Sequence, residues 1–420
     1  MAANRDVGGL KSNSRAAARR DLPPRDLAPR DSPPLSGEAR LASIDLLRGI
    51  VMVVMALDHT RDFFSVAGLD IRNVHDPALF LTRWVTHFCA PVFVFLAGMS
   101  AFLHGARGRS PGAVSRFLLV RGLWLVVLEI TIVRFVWTFS VVPDYVLLQV
   151  LWVLGVSMIA LAGLIHLPGA AVAALGIGMI ALHNLLDGVA ANDFGQLGWL
   201  WAIMHQPARL HPLPDVVVFP LYSLIPWIGV MAAGYALGPV MLLAPDARRR
   251  WLLGLGALVT TGFVLLRAAN LYGDPTPWAW HEAMSATVLS FLNTEKYPPS
   301  ALFLAMTLGP ALIGLAIFED AKGRLARVLI VFGRAPLFYY LAHLLALQIL
   351  TVLYAVILAG GAGELLRSLS ENPVTKPAGY GLGLPSIYAL WALVVGALYL
   401  PCRWFARLKQ RRAGGWLRYL

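Results

Sequence analysis

Cysteine is nearly absent: Cys89 and Cys402 are the only two in 420 residues, and they fall at opposite ends of the chain. Neither a disulfide framework nor a metal motif follows from that number and spacing, and no metal site is expected. Charge is scarce as well. Asp, Glu, Lys and Arg make up 14% of the residues against 58% hydrophobic, with a mean hydropathy of +0.67. Ordinary soluble domains carry about 25% charged residues, so the composition excludes that class and points to an integral membrane protein. The charge that remains leans basic, at +12 net. It sits in short clusters between apolar runs, which follows the positive-inside rule rather than a nucleic-acid surface, and no nucleic-acid partner is expected.

Several apolar runs reach the roughly 20 residues needed to cross a hydrocarbon core. Because backbone groups in lipid must be satisfied within each segment, the expected fold is all-α, a polytopic transmembrane bundle of about ten helices, ten or eleven in all. The expected spans are 44–64, 84–104, 117–139, 145–166, 168–187, 217–243, 250–270, 298–318, 327–357 and 384–405. They divide the chain into a disordered basic tail (1–40), a membrane domain (41–405) and a second basic tail (406–420). Residues 1–40 lack an apolar core and do not read as a secretory signal. Arginines after the second, sixth, eighth and tenth spans fall on one side, so both termini are expected in the cytoplasm. The opposite side collects long loops at 65–83, 188–216, 271–297 and 358–383, rich in Trp and His. Loops of that length in a compact bundle usually carry function.

The stretch SIDLLRGIVMVVMALDHTRDFF (43–64) holds the densest chemistry. Asp45, Arg48, Met52, Met55, His59 and Asp62 are spaced three or four apart and therefore share one helix face. Arg48 and His59 lie roughly 16 Å apart along the axis, a useful reach for an extended ligand. Charges within a span are costly and usually face the bundle interior. Asp62, one turn from His59, is placed to orient the imidazole; Asp58 lies off that face and suits Arg61.

A similar pairing recurs in VFGRAPLFYYLAHLLAL (331–347). Arg334 beside a helix start is a ready anion site, and His343 follows some 14 Å deeper. On the second span Arg83 and His87 share a face, with Pro91 expected to kink the helix. Glu129 and Arg134 on the third are expected to pair within the bundle in a structural role, because a solitary charge there is so costly.

These stretches, together with HFCAPVFVFLAGMSAFL (87–103), resemble the heparan-alpha-glucosaminide N-acetyltransferase catalytic-domain family of membrane acyltransferases. The resemblance is most specific over the first two spans and good over the ninth. It implies transfer of an acetyl group from cytoplasmic acetyl-CoA to an amine or hydroxyl of a sugar or glycan outside, across a lipid bilayer such as the bacterial inner (plasma) membrane. The family's histidine falls among His59, His75 and His87, of which His59 is favoured by its acidic neighbours. The implied catalytic set is then His59 with Asp58 and Asp62, assisted by His343 or His87. Arg48 and Arg334, with Asp45, would meet the phosphates of the acyl-CoA, and its pantetheine arm would run along Met52 and Met55. A homo-oligomer is allowed by the sequence without being specified by it. The competing reading is a proton-coupled small-molecule transporter, whose relays use the same residue types, although no internal repeat of the kind common in transporters is visible.

Overall fold

The structure is a computed structural model that describes residues 41–66, 68–358, 363, 365 and 380–411. The expected tail at 1–40, the last residues of the tail at 406–420 and most of the 358–383 loop lie outside the described residues. The helices are α1 (Ala42–Phe64), α2 (Pro77–Thr86), α3 (Cys89–Gly105), α4 (Pro111–Leu128), α5 (Arg134–Thr138), α6 (Val150–Leu164), α7 (Gly169–Leu182) and α8 (Gly198–Met204). They continue as α9 (Leu224–Leu237), α10 (Pro245–Ala269), α11 (Met284–Leu292), α12 (Ala301–Ile317), α13 (Arg324–Arg334), α14 (Pro336–Leu358) and α15 (Leu384–Arg411). The fold is thus an all-α bundle, and among the described residues seven helical segments are long and apolar enough to cross a membrane. That makes the chain an integral membrane protein. Among the expected spans that fall outside those seven by the same measure of length and composition, α1 carries five charged residues, and α6 is 15 residues long.

Lipid is as apolar as leucine, so helices in a bilayer associate through close backbone packing at small residues. Reciprocal glycine pairs supply it at the main helix crossings. Gly98 of α3 meets Met231 of α9 while Gly234 of α9 meets Phe95 of α3. Gly122 and Gly155 join α4 to α6, Gly176 and Gly229 join α7 to α9, and Gly256 and Gly309 join α10 to α12. The first span is locked to α13 in the same way, through Gly49 and Gly333.

Three expected spans are divided. The second starts at Pro77 and breaks at His87–Phe88, with Pro91 in the first turn of α3, where its missing donor is harmless. The ninth separates into α13 and α14 at Ala335, just before Pro336. The third passes from α4 through a π-helical turn at Glu129–Val133 into α5.

Two expected spans begin later than their hydropathy suggests, because β-branched and aromatic residues at their starts pair as strands instead. Strand β1 (Tyr145–Leu148) runs parallel to β3 (Val216–Pro220), which pairs antiparallel with β2 (Leu210–Leu213). Helix α6 starts only after β1, where Glu129 accepts the backbone amides of Gln149 (3.2 Å), Leu151 (2.9 Å) and Trp152 (3.2 Å). Glu129 is therefore a helix cap rather than the partner of Arg134, which donates to the carbonyls of Ser140 and Val142. A carboxylate at a helix N-terminus satisfies amides that have no partner within the helix. Glu129→Ala should accordingly cost about 1–3 kcal/mol by stranding buried donors, and Glu129→Gln less, read as thermal unfolding in detergent.

Candidate active site

At the Asp45 end, the contact of Gly49 with Leu329 and of Gly333 with Asp45 leaves no room for a side chain between α1 and α13. That closeness brings Arg334 Nε to 3.3 Å from Asp45 Oδ2, and Arg48 Nη1 lies 3.5 Å from Asp45 Oδ1. Arg48 also donates to Ser100 Oγ on α3 at 2.9 Å. Arg121 of α4 is an electrostatic neighbour of Arg48. Among the described residues the group brings the guanidiniums of Arg48, Arg121 and Arg334 around the buried Asp45 carboxylate, and guanidiniums are the side chains suited to a phosphate-bearing anion. Arg121 was not visible as part of it, because nothing in its own helix marks it.

One face further along α1 turns to the bundle interior, as expected. Met52 is fully buried and Met55 nearly so, and both are packed into the core rather than along an open passage. Beyond them, His59 and His343 meet with ring planes 7° apart, His59 Nδ1 lying 2.7 Å from His343 Nε2. His343 Nδ1 is 2.7 Å from the carbonyl oxygen of Tyr339, one turn back on α14. A carbonyl only accepts, so His343 carries its proton on Nδ1 and, as a neutral ring, accepts at Nε2. His59 must then donate from Nδ1, which leaves its lone pair on Nε2.

The rings of Trp137 and Tyr340 stand edge-on to His59, at 5.7 and 6.0 Å between centroids. Trp137 Nε1, Tyr340 Oη and Tyr339 Oη are all buried without a hydrogen-bond partner. Buried donors are rarely left unmade, and three of them around one histidine pair suit a polar ligand between the helices.

The remaining predicted residues lie nearby in a separate network. Asp58 Oδ1 accepts from Arg61 Nη2 at 2.5 Å and from Thr86 Oγ1 at 2.8 Å, and Lys296 Nζ lies 3.7 Å from Asp58 Oδ2. Asp62 meets Arg61 Nη2 at 2.9 Å, so the expected acid beside the imidazole is matched to the arginine, and His343 occupies the Nδ1 side instead. His87 is buried at the α2–α3 break against Phe303, with both ring nitrogens unpartnered. Burial opposes the charge of Lys296, but Tyr297 and Asp58 outweigh it and hold its pKa above the ordinary value. Lys296 was missed because it lies in a loop that has no periodicity to place it. His75 is exposed, against His281, apart from the pair.

Next to Lys296, Glu295 accepts two hydrogen bonds from Arg72, both 2.8 Å. Burial raises the Glu295 pKa, but the Arg72 hydrogen bond and charge bring it below its ordinary 4.5. A lowered carboxylate stabilises the fold above its unfolded value, and that share is lost as pH falls through the lowered one. Arg72→Ala should therefore cost up to about 1 kcal/mol at neutral pH, because Arg72 is half exposed. The difference should vanish on acidification, in unfolding scans from neutral pH downward.

A histidine pair thus joins α1 to α14, and arginines of α1, α4 and α13 gather toward the other end of α1. Residues 40–266, more than half of the chain, match the family described as "Heparan-alpha-glucosaminide N-acetyltransferase, catalytic". The chain belongs to that family, and so to a membrane acetyltransferase type. No curated protein sequence matches it.

Proposed function

We propose that the protein transfers an acetyl group from cytoplasmic acetyl-CoA to an amine or hydroxyl of a sugar on the far side of a plasma membrane, with both of its own termini in the cytoplasm. The observation that carries the reading is the fixed proton order Tyr339 carbonyl, His343, His59, which presents a lone pair at His59 Nε2. Arg48, Arg121 and Arg334 take the phosphates of the donor. Its arm must part the packing around Met52 and Met55 to bring the thioester to His59.

The acceptor attacks the thioester carbon while its proton passes to His59 Nε2. The tetrahedral oxyanion accepts hydrogen bonds from Tyr340 Oη or Trp137 Nε1, both otherwise unpaired. The C–S bond then breaks, and the departing thiolate takes the proton from His59, giving CoA thiol, acetylated acceptor and neutral histidine. His87, buried and unpartnered beside the Asp58–Lys296 network, is placed to hold the acceptor. Asp58 and Asp62 keep Arg61 in place.

The test is purified protein in detergent with labelled acetyl-CoA and glucosamine, following CoA release and acetylated product. Turnover supports the reading. Proton-driven solute uptake in proteoliposomes without CoA release would replace it with the transporter. Arg48→Met and Arg334→Met should raise KM for acetyl-CoA about tenfold or more each, while the desphospho donor loses less, because a charge-assisted contact to phosphate is worth about 1.5–3 kcal/mol.

A further inference from the structure

We propose that His183, Asp187 and His205 form a site for one divalent transition-metal ion of the zinc class, tying the 188–216 loop to the end of α7. Helix α7 runs into a 3₁₀ turn at His183–Leu186, which ends beside Asp187, and α8 ends at His205. One ligand atom from each of the three residues lies within 4.8 Å of the other two. His183 is 2% exposed and His205 1%. Both nitrogens of His183 and Nδ1 of His205 are buried without a hydrogen-bond partner. A neutral imidazole has a single lone pair, and leaving that of the buried His183 ring unused is costly; a metal ion removes the cost by accepting it, with His205 ligating through Nε2.

The geometry is near to what such an ion needs. His205 Nε2 lies 3.0 Å from Asp187 Oδ1. Two ligand atoms at about 2.0–2.1 Å from a tetrahedral zinc stand about 3.3 Å apart, so this edge is already formed and only His183 has to close in. The carboxylate is oriented from behind: Asn184 Nδ2 donates to Asp187 Oδ2 at 2.8 Å, and Asn184 Oδ1 accepts from the amide of Ala301 at 2.8 Å. Carboxylate ligands are commonly held by such outer partners. Two imidazoles and a carboxylate favour zinc, cobalt or iron over magnesium and calcium, which prefer oxygen alone. The scarcity of cysteine gave no sign of this, since the ligands are two histidines and an aspartate, with His205 on a separate element from the other two.

The test uses full-length protein purified without a histidine tag, stripped with a chelator and titrated with zinc chloride or cobalt chloride. Binding of a single ion per chain, cobalt absorption bands of tetrahedral type and a zinc-dependent rise in unfolding temperature are expected. His183→Gln and Asp187→Asn, which keep side-chain bulk, should each weaken zinc binding more than about 100-fold, beyond what loss of an outer partner costs. Asn184→Leu should weaken it about 10- to 100-fold. Wild type that binds zinc no better than His183→Gln, or that gains no stability from it, overturns the site. Neither result touches the acetyl-transfer reading, whose residues are separate.

Discussion

His59→Ala should reduce acetyl transfer by about 10²- to 10⁴-fold in kcat, the usual contribution of a positioned general base, with KM for acetyl-CoA little changed. The informative comparison is with His343. It touches His59 but is placed to touch no reacting atom, so it acts as a positioning residue. His343→Ala removes the acceptor for His59 Nδ1–H, frees the imidazole to rotate or adopt the other tautomer, and should cost about 10²-fold or more in kcat. His343→Gln places a carbonyl oxygen within reach of the same proton and should recover a large part of that loss. A merely structural role would instead let Leu, close in volume and apolar, rescue as well as Gln. The measurement is steady-state CoA release with each variant across pH, and equal rates for the Gln and Leu variants would remove the proton order from the mechanism.

The face of α1 was legible because helical spacing is a local property. Residues three and four apart must share a side, and a charged stripe in lipid must turn inward. Arg334 and His343 were legible for the same reason on their own helix. What joins them to α1 is tertiary: Gly49 and Gly333 look like any small residues until each is seen against the other's backbone. The partner of His59 was misjudged for a related cause. Local spacing offered Asp62, one turn away, but Arg61 is adjacent to that carboxylate and His343 comes from across the bundle. Lys296 and Arg121 carry no local mark at all.

Strand β1 shows the limit from the other side. Tyr145–Leu148 continues an apolar run that hydropathy assigns to a helix, and only its pairing with Val217–Pro220 turns it into a strand. Glu129 then fixes where α6 can start, by taking amides that no residue inside α6 can satisfy. Two apolar stretches far apart in sequence and one buried carboxylate decide that boundary together, and no window along the chain contains all three.

Replacing Gly333 with Val should cause a large loss of folded protein. A Cβ there runs into the backbone carbonyl of Asp45, and backbone cannot swing aside as a flexible side chain can. Overpacking by added carbons commonly costs about 1–3 kcal/mol, and more where rigid atoms oppose them. The added bulk must push α13 off α1, which separates Arg334 from Asp45 and α14 from His59. Expression of monodisperse protein should fall sharply, and whatever survives should show both a raised KM for acetyl-CoA and a lowered kcat, because both ends of the site hang on this crossing. Gly49→Val should do the same from the opposite helix, through Leu329. Gly254→Val on α10, where a Cβ meets nothing within 4 Å, is the control and should behave as wild type. Size-exclusion profiles of the three variants decide the matter: if Gly333→Val and Gly254→Val elute alike and turn over alike, the α1–α13 contact does not hold the two halves of the site together.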